Sequence, residues 1–285
     1  MNVFEISDDN LMEFVGFLGR DLVEDMTREF YRGYGTKDDD GNINGAMVYE
    51  VSGLDDDDRD TLSRMVYFKA DSDEARAELD RIYREEGVED EEIVESFYEF
   101  EDETTAGLFE KQGYSKAPKE SEIVRIKLSD ALQFDFVNRV KKIPDYIVKL
   151  EKLSVTQFRT GVKNCVFSGQ NGILEDLSNL PMSWYDTGIS SCTITDDEVN
   201  GMFFVRTTPS GVIVPVLLYA YGPDYVKNLA LMIANTIKEA EKKFPPETEI
   251  VIYRRKKASA ALLKKLIPSI KGNPAFFGER MENVG

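Results

Sequence analysis

Residues 212–244 read VIVPVLLYAYGPDYVKNLALMIANTIKEAEKKF. Val212 to Tyr219 is a short, mostly aliphatic run with one proline, bounded by turn residues, the pattern of a strand covered on both faces. Gly222, Pro223 and Asp224 break it. From there Val226, Leu229, Ile233, Ile237, Ala240 and Phe244 recur every three or four residues, which puts them on one face of a helix. A strand that turns directly into a helix presents unpaired backbone N–H groups at the helix start. With the helix dipole, these attract anions such as a pyrophosphate. Most units of this kind are ordinary core and bind nothing, so the surrounding chain decides between the two readings.

The chain has 285 residues, 42% of them hydrophobic and 31% charged, enough for one large domain or two ordinary ones. It contains no histidine. Ser-His and Cys-His nucleophile pairs and histidine metal ligands are thereby excluded. Two cysteines, Cys165 and Cys192, are too few for a zinc cluster or a disulfide framework, and reduced buried thiols are expected. The start, MNVFEISDDN, has neither the basic region nor the apolar core of a signal peptide, and no apolar run is long enough to span a bilayer. A cytoplasmic location is expected. Charge divides the chain. Residues 1–135 hold 15 basic and 38 acidic side chains, a net of −23, whereas residues 136–285 hold 20 and 15, a net of +5. The acidic half should repel nucleic acid and anionic membrane, and the second half is the better host for an anionic small molecule.

Taken in order, Asn10 to Tyr31 reads as one or two amphipathic helices. Asp40-Gly41 and Asn44-Gly45 read as turns, and Ala46 to Val51 as a strand. The aspartates of SGLDDDDRD lack the spacing and closing Glu of a calcium loop, so no metal is expected there. Thr61 to Ala70 is the next strand, Ala75 to Tyr83 marks a helix ending at Gly87, and Glu92 to Phe100 is a strand. TTAGLFEKQGY is a short helix stopped at Gly113, and Glu122 to Leu128 is the last strand of this half. Asp130 to Lys152 reads as a helical connector broken at Pro144. In the second half, Val155 to Phe167 reads as helical and Gln170 to Tyr185 resists a reading. Ser190 to Thr195 and Met202 to Thr207 form a hairpin. After the opening strand and helix, Glu249 to Arg254 is a strand and Ser259 to Ile267 a short helix. A last strand near Phe276, Phe277 and Met281 closes the half.

Each half thus reads helix, hairpin strands, strand–helix, strand–helix, strand. That order, with LFEKQGY at residues 108–114, resembles the Gcn5-related N-acetyltransferase (GNAT) family, many of whose members carry a phrase of the form A-x-x-L-Y-E-K-x-G-F after the fifth strand. Ala106 to Tyr114 matches it with one residue fewer between Ala106 and Leu108, and LLKKLI at 262–267 is a fainter echo. The resemblance covers most of the chain as two tandem copies. It implies an α/β protein of the α+β mixed-sheet kind, with an acidic copy over 1–135, a helical connector over 136–154 and a second copy over 155–285.

The family holds the pyrophosphate of acetyl-CoA on the backbone of a Q/R-x-x-G-x-G/A motif between the fourth strand and the third helix. The best match here is Tyr225-Val226-Lys227-Asn228-Leu229-Ala230. The final Ala fits, Asn stands for the first Gly and Tyr for the Gln or Arg. Asn tolerates unusual backbone angles, and Lys227 adds positive charge. The first copy offers Ser72 to Ala77, without glycine, and there Asp71, Asp73 and Glu74 would occupy the anion site themselves. The resemblance therefore implies acetyl-CoA as a substrate, bound by the second copy through Leu218, Tyr219, Ala220 and residues Tyr225 to Ala230, with no metal.

In many members a tyrosine of the fourth helix protonates the departing thiolate. Phe109 and Leu263 stand in its place, and neither can donate a proton. Tyr219, Tyr221 or Tyr253 would have to supply the acid, and Glu198 or Asp197 the base. The implied reaction is direct transfer of an acetyl group to an amine, with a backbone N–H near Leu218 or Tyr219 on the developing oxyanion. The acidic first copy favours a cationic acceptor, either a small molecule such as a polyamine or aminoglycoside-like amine, or a lysine side chain. The opposed reading is a catalytically inactive GNAT-like protein that keeps the fold for interaction or ligand sensing.

Overall fold

The computed structural model describes residues 2–28, 30–52, 61–167, 180–254 and 257–282. The chain divides into two compact units, one of residues 1–121 with 273–285 and the other of residues 122–272. The first unit begins with β1 (Asn2–Glu5), a 3-10 turn and the short helices α1 (Val15–Leu18) and α2 (Arg20–Asp25). There follow β2 (Tyr31–Lys37), β3 (Ile43–Ser52), β4 (Thr61–Ala70), α3 (Asp73–Ile82), β5 (Ile93–Phe100), α4 (Glu103–Lys111) and β6 (Ala117–Glu120). The second unit takes β7 (Ile123–Lys127), α5 (Leu128–Leu132), α6 (Asp135–Arg139), β8 (Ile147–Lys149), α7 (Val155–Phe167), β9 (Ser191–Thr195), β10 (Glu198–Thr207), β11 (Ile213–Ala220), α8 (Tyr225–Lys243), β12 (Glu249–Tyr253) and α9 (Lys257–Leu266). The last strand, β13 (Pro274–Met281), returns to the first.

The sheets run β1-β2-β3-β4-β5-β13-β6 and β7-β12-β11-β10-β9-β8. Each is antiparallel except for one parallel pair, β4 with β5 and β11 with β12. Both are buried on two faces. In the second unit Phe203, Leu231, Met232 and Ile237 fill the side of α8, and Phe158, Cys165, Cys192 and Phe204 fill the side of α7. Burial raises the pKa of both thiols, that of Cys165 to about 12, which keeps them protonated and inert at neutral pH.

The two units follow one template residue by residue. Gly45 opposes Ala70 and Gly201 opposes Ala220. Each register then advances together until one residue of the fourth strand is left over, Val66 in the first unit and Val216 in the second. Such a bulge bends the strand that carries it. At the strand ends the Asn44 carbonyl accepts from Asp71 N–H (2.8 Å) and the Asn200 carbonyl from Tyr221 N–H (3.0 Å). Beside them Thr36 Oγ1 donates to Asn44 Oδ1 (2.7 Å), and Thr193 Oγ1 donates to Asn200 Oδ1. Gly45 and Gly201 leave the space those threonine hydroxyls occupy. Asn44-Gly45 is therefore inside a strand, and not a turn as its composition suggested.

The expected boundaries shift for one reason: the units exchange a strand. The Glu122–Leu128 run, read as the end of the first half, pairs as β7 with β12 of the second unit. The strand near Phe276, read as the end of the second half, inserts as β13 between β5 and β6 of the first. Residues 136–154 do not form a helical connector. Val137 and Ile147 lie in the core of the second unit, and Ile147–Lys149 is a strand. The aspartate run at 55–58 and residues 170–179 lie outside the described residues.

Candidate functional site

The parallel pairs are where the two units part company. In the first unit β4 and β5 pair from Thr61/Ile93 to Met65/Tyr98, with one register shift after Thr61. In the second, a single pair, Ile213 with Ile250, holds β11 to β12. The residue that matches Met65 is Pro215, since each directly precedes the bulged valine of its strand. Proline has no N–H to continue the ladder. Among the described residues Val214 to Ala220 have no pairing partner on the β12 side, and the sheet opens in the middle.

α8 starts at the end of this opening. Gly222 has φ +90°, a conformation that favours glycine, and turns the chain out of β11. Asp224 occupies the N-cap position, yet its side chain makes no capping bond. Tyr225 N–H reaches the Gly222 carbonyl at 3.3 Å and Asn228 N–H the Asp224 carbonyl at 3.0 Å. Between them the N–H groups of Val226 and Lys227 have no protein acceptor among the described residues, and both side chains are exposed. A 19-residue helix thus ends in two open donors at the positive pole of its dipole. α3 is built otherwise. Ser72 caps it by accepting from Ala75 N–H (3.1 Å), and Asp73 and Glu74 occupy its first turn.

The sequence-derived site residues fall into three groups. Leu218, Ala220 and Leu229 pack into the core on the α8 side, and Ala230 is half-buried. Tyr225, Val226 and Lys227 form the exposed first turn, whereas the N–H of Asn228 is already taken inside the helix. Tyr219, Tyr221 and Glu198 come together. The two rings lie 5.9 Å apart, Tyr219 buried and Tyr221 38% exposed. Burial raises the Tyr221 phenol pKa, and the charge of Glu198 and then Tyr219 raise it further, so it stays protonated at neutral pH. Tyr253 ends β12, where it pairs with Ile123 of β7, and is 42% exposed. Asp197 sits in the β9–β10 turn with φ +64°. Sequence reading missed Pro215 as the residue that opens the sheet; a proline inside an otherwise central strand was the available signal.

In the first unit the corresponding place is filled. Phe109 of α4 is 1% exposed and meets Phe68 of β4 (5.0 Å) and Phe100 of β5 (5.7 Å), both beyond the last pair that joins β4 to β5. Tyr98 and Tyr114 complete the aromatic packing. Among the described residues no group of His, Cys, Asp or Glu is arranged to hold a metal ion, and no helix is long and apolar enough to cross a membrane.

No family model matches the sequence, and no curated protein matches it. Solved structures do match the fold. A tandem GNAT protein from the clavulanic acid biosynthesis pathway is 9% identical with a TM-score of 0.62, covering 100% of this chain and 99% of that one. The GCN5-related glucosamine N-acetyltransferase region of a fungal multi-domain β-N-acetylglucosaminidase is 9% identical with a TM-score of 0.56; the match covers 98% of this chain but 38% of that one. A putative acetyltransferase from Pyrococcus horikoshii is 13% identical with a TM-score of 0.53, covering 99% and 90%. The protein has a mixed α/β fold of two tandem GNAT-like units, the fold of these structures.

Proposed function

We propose that the chain is an N-acetyltransferase whose second unit binds acetyl-CoA and transfers the acetyl group to a cationic amine. The observation that carries this reading is the opening between β11 and β12 beside the uncapped start of α8. The pyrophosphate would rest on the N–H groups of Val226 and Lys227, with the Lys227 ammonium adding charge. The acyl-bearing arm would follow the unpaired edge of β11, and a backbone N–H near Leu218 or Tyr219 would meet the developing oxyanion. The amine attacks the thioester carbonyl: a C–N bond forms, the C–S bond breaks, and the thiolate takes a proton from the Tyr221 hydroxyl. Glu198, beside Tyr221, receives the amine's proton and attracts a cationic acceptor. Holding both reactants in one cleft supplies much of the rate.

Two measurements test this. Acetyl-CoA at about a hundred times its Kd should stabilise the full chain by about 2.7 kcal/mol and raise its Tm by several degrees. No shift at millimolar acetyl-CoA would leave the non-catalytic reading. With an amine acceptor supplied, Tyr221→Phe should lower kcat by about a hundredfold or more, with the KM for acetyl-CoA little changed. An unchanged kcat would remove Tyr221 as the acid and leave Tyr219 and Tyr253. The filled cleft around Phe109 favours a different role for the first unit, that of a structural or acceptor-recruiting partner without CoA.

A further inference from the structure

Asn228 is the fourth residue of α8 and is only 8% exposed, and its side-chain Oδ1 is buried with no hydrogen-bond partner. Buried polar atoms are almost always satisfied, so an orphan of this kind calls for a reason. Its position supplies one. Asn235 Nδ2 donates to Ser191 Oγ on β9 (2.9 Å), and Thr236 Oγ1 lies 2.8 Å from the same oxygen. One turn back, Met232 lies over Gly201 of β10: a methyl built on Gly201 would stand 3.1 Å from Met232 Cε and 3.3 Å from Ala220 Cβ at the end of β11. A helical turn advances about 5.4 Å and a strand spacing is about 4.8 Å, so each turn toward the N-terminus crosses about one strand. The next turn back is Asn228, which this progression brings over β11, the strand whose far edge pairs with β12 at Ile213 alone.

We propose that the Asn228 carboxamide is a specificity-determining group in the opening, its oxygen accepting the N–H of a secondary amide in the arm of the bound acyl-CoA. This rests on the acyl-CoA reading above. The unpaired β11 edge offers peptide groups in extended geometry, which suit a ligand that itself carries amides, as an added strand would. The pantetheine arm has such amides, whereas the nucleotide half of CoA has none. The orphan oxygen is satisfied only in the complex.

The test is calorimetry on the full chain with CoA and with its nucleotide half, which keeps the pyrophosphate but lacks the pantetheine arm. Asn228→Leu should weaken CoA about tenfold or more, as loss of one buried hydrogen bond does, and change affinity for the nucleotide half less than about twofold. It should also raise the Tm of the unliganded protein, because an orphan polar atom is replaced by an apolar one of similar size. Asn228→Ala should give the same selective loss of CoA affinity if the leucine does not fit. Equal losses for both ligands would place Asn228 at the phosphates or merely in the helix, and unchanged CoA binding or a lowered Tm with both variants would remove the assignment. Failure of the unsubstituted protein to bind CoA at all would instead overturn the acetyltransferase reading, and this inference with it.

Discussion

Gly278→Ala is expected to destabilise the first unit by about 3 kcal/mol or more while leaving the second unaffected. Gly278 lies on β13, opposite Tyr98 of β5. A methyl there would drive into the Ser115 carbonyl oxygen and the Tyr98 ring, well inside van der Waals contact. Backbone cannot swing aside as the end of a flexible side chain can, so the cost should be about 3 kcal/mol or more. Neighbouring residues hold the strand firmly at this point. Ser115 N–H donates to the Glu279 carbonyl (2.9 Å), Arg280 lies 4.4 Å over the Tyr114 ring and donates to the Gln112 carbonyl, and its guanidinium pairs with the largely buried Glu282 (2.7 Å). The chain supplies its own reporter, because its single tryptophan, Trp184, lies in the second unit. In urea, far-UV circular dichroism of Gly278→Ala should show an early transition that Trp184 fluorescence does not follow. A fluorescence transition that shifts instead, with the first unit intact, would show that β13 serves the second unit and that the strand exchange is wrong.

That exchange was not legible because a strand pattern records which faces are buried and not which edge is paired. EIVRIKL reads the same beside β5 as beside β12. The repeat itself was legible, because each half had to state its turns, its alternations and its helix faces in the same order. β2 was missed for a local reason: Gly33 and Gly35 weaken its strand signal, and both are there to make room, Gly35 for the Phe14 ring and Gly33 for Met26. At the site, the Gly-Pro-Asp break marked the start of α8, which falls at Tyr225. The family motif covers Tyr225 to Ala230, and the sequence does not say which of these N–H groups is already bonded within the helix; the N–H of Asn228 is, and its side-chain oxygen is buried without a partner among the described residues.

Lys227→Glu should weaken binding of acetyl-CoA about thirtyfold or more, while Asp73→Lys should leave it unchanged. The two helix starts differ in charge and in open donors. α8 offers two open N–H groups, one lysine and no acid in its first turn, although Asp224 stands just before it. α3 has its donor engaged by Ser72, and Asp73 and Glu74 face any incoming phosphate with like charge. At an effective dielectric of about 20 and several ångströms, each unit charge beside a phosphate is worth about 1 kcal/mol or more. Reversing Lys227 changes two units and should weaken binding by about thirtyfold or more, with the loss shrinking as salt is added. Lys227 is exposed, so the substitution leaves the fold intact, which a charge placed at buried Asn228 would not. Asp73 forms an ion pair with Arg76 (2.7 Å), but its carboxylate is almost fully solvated, and its reversal should cost little stability. Titration calorimetry of both variants decides the matter. Loss of affinity in Asp73→Lys with Lys227→Glu unaffected would move the nucleotide to the first unit, and its aromatic-filled cleft would then have to open around Phe109 to admit the acyl arm.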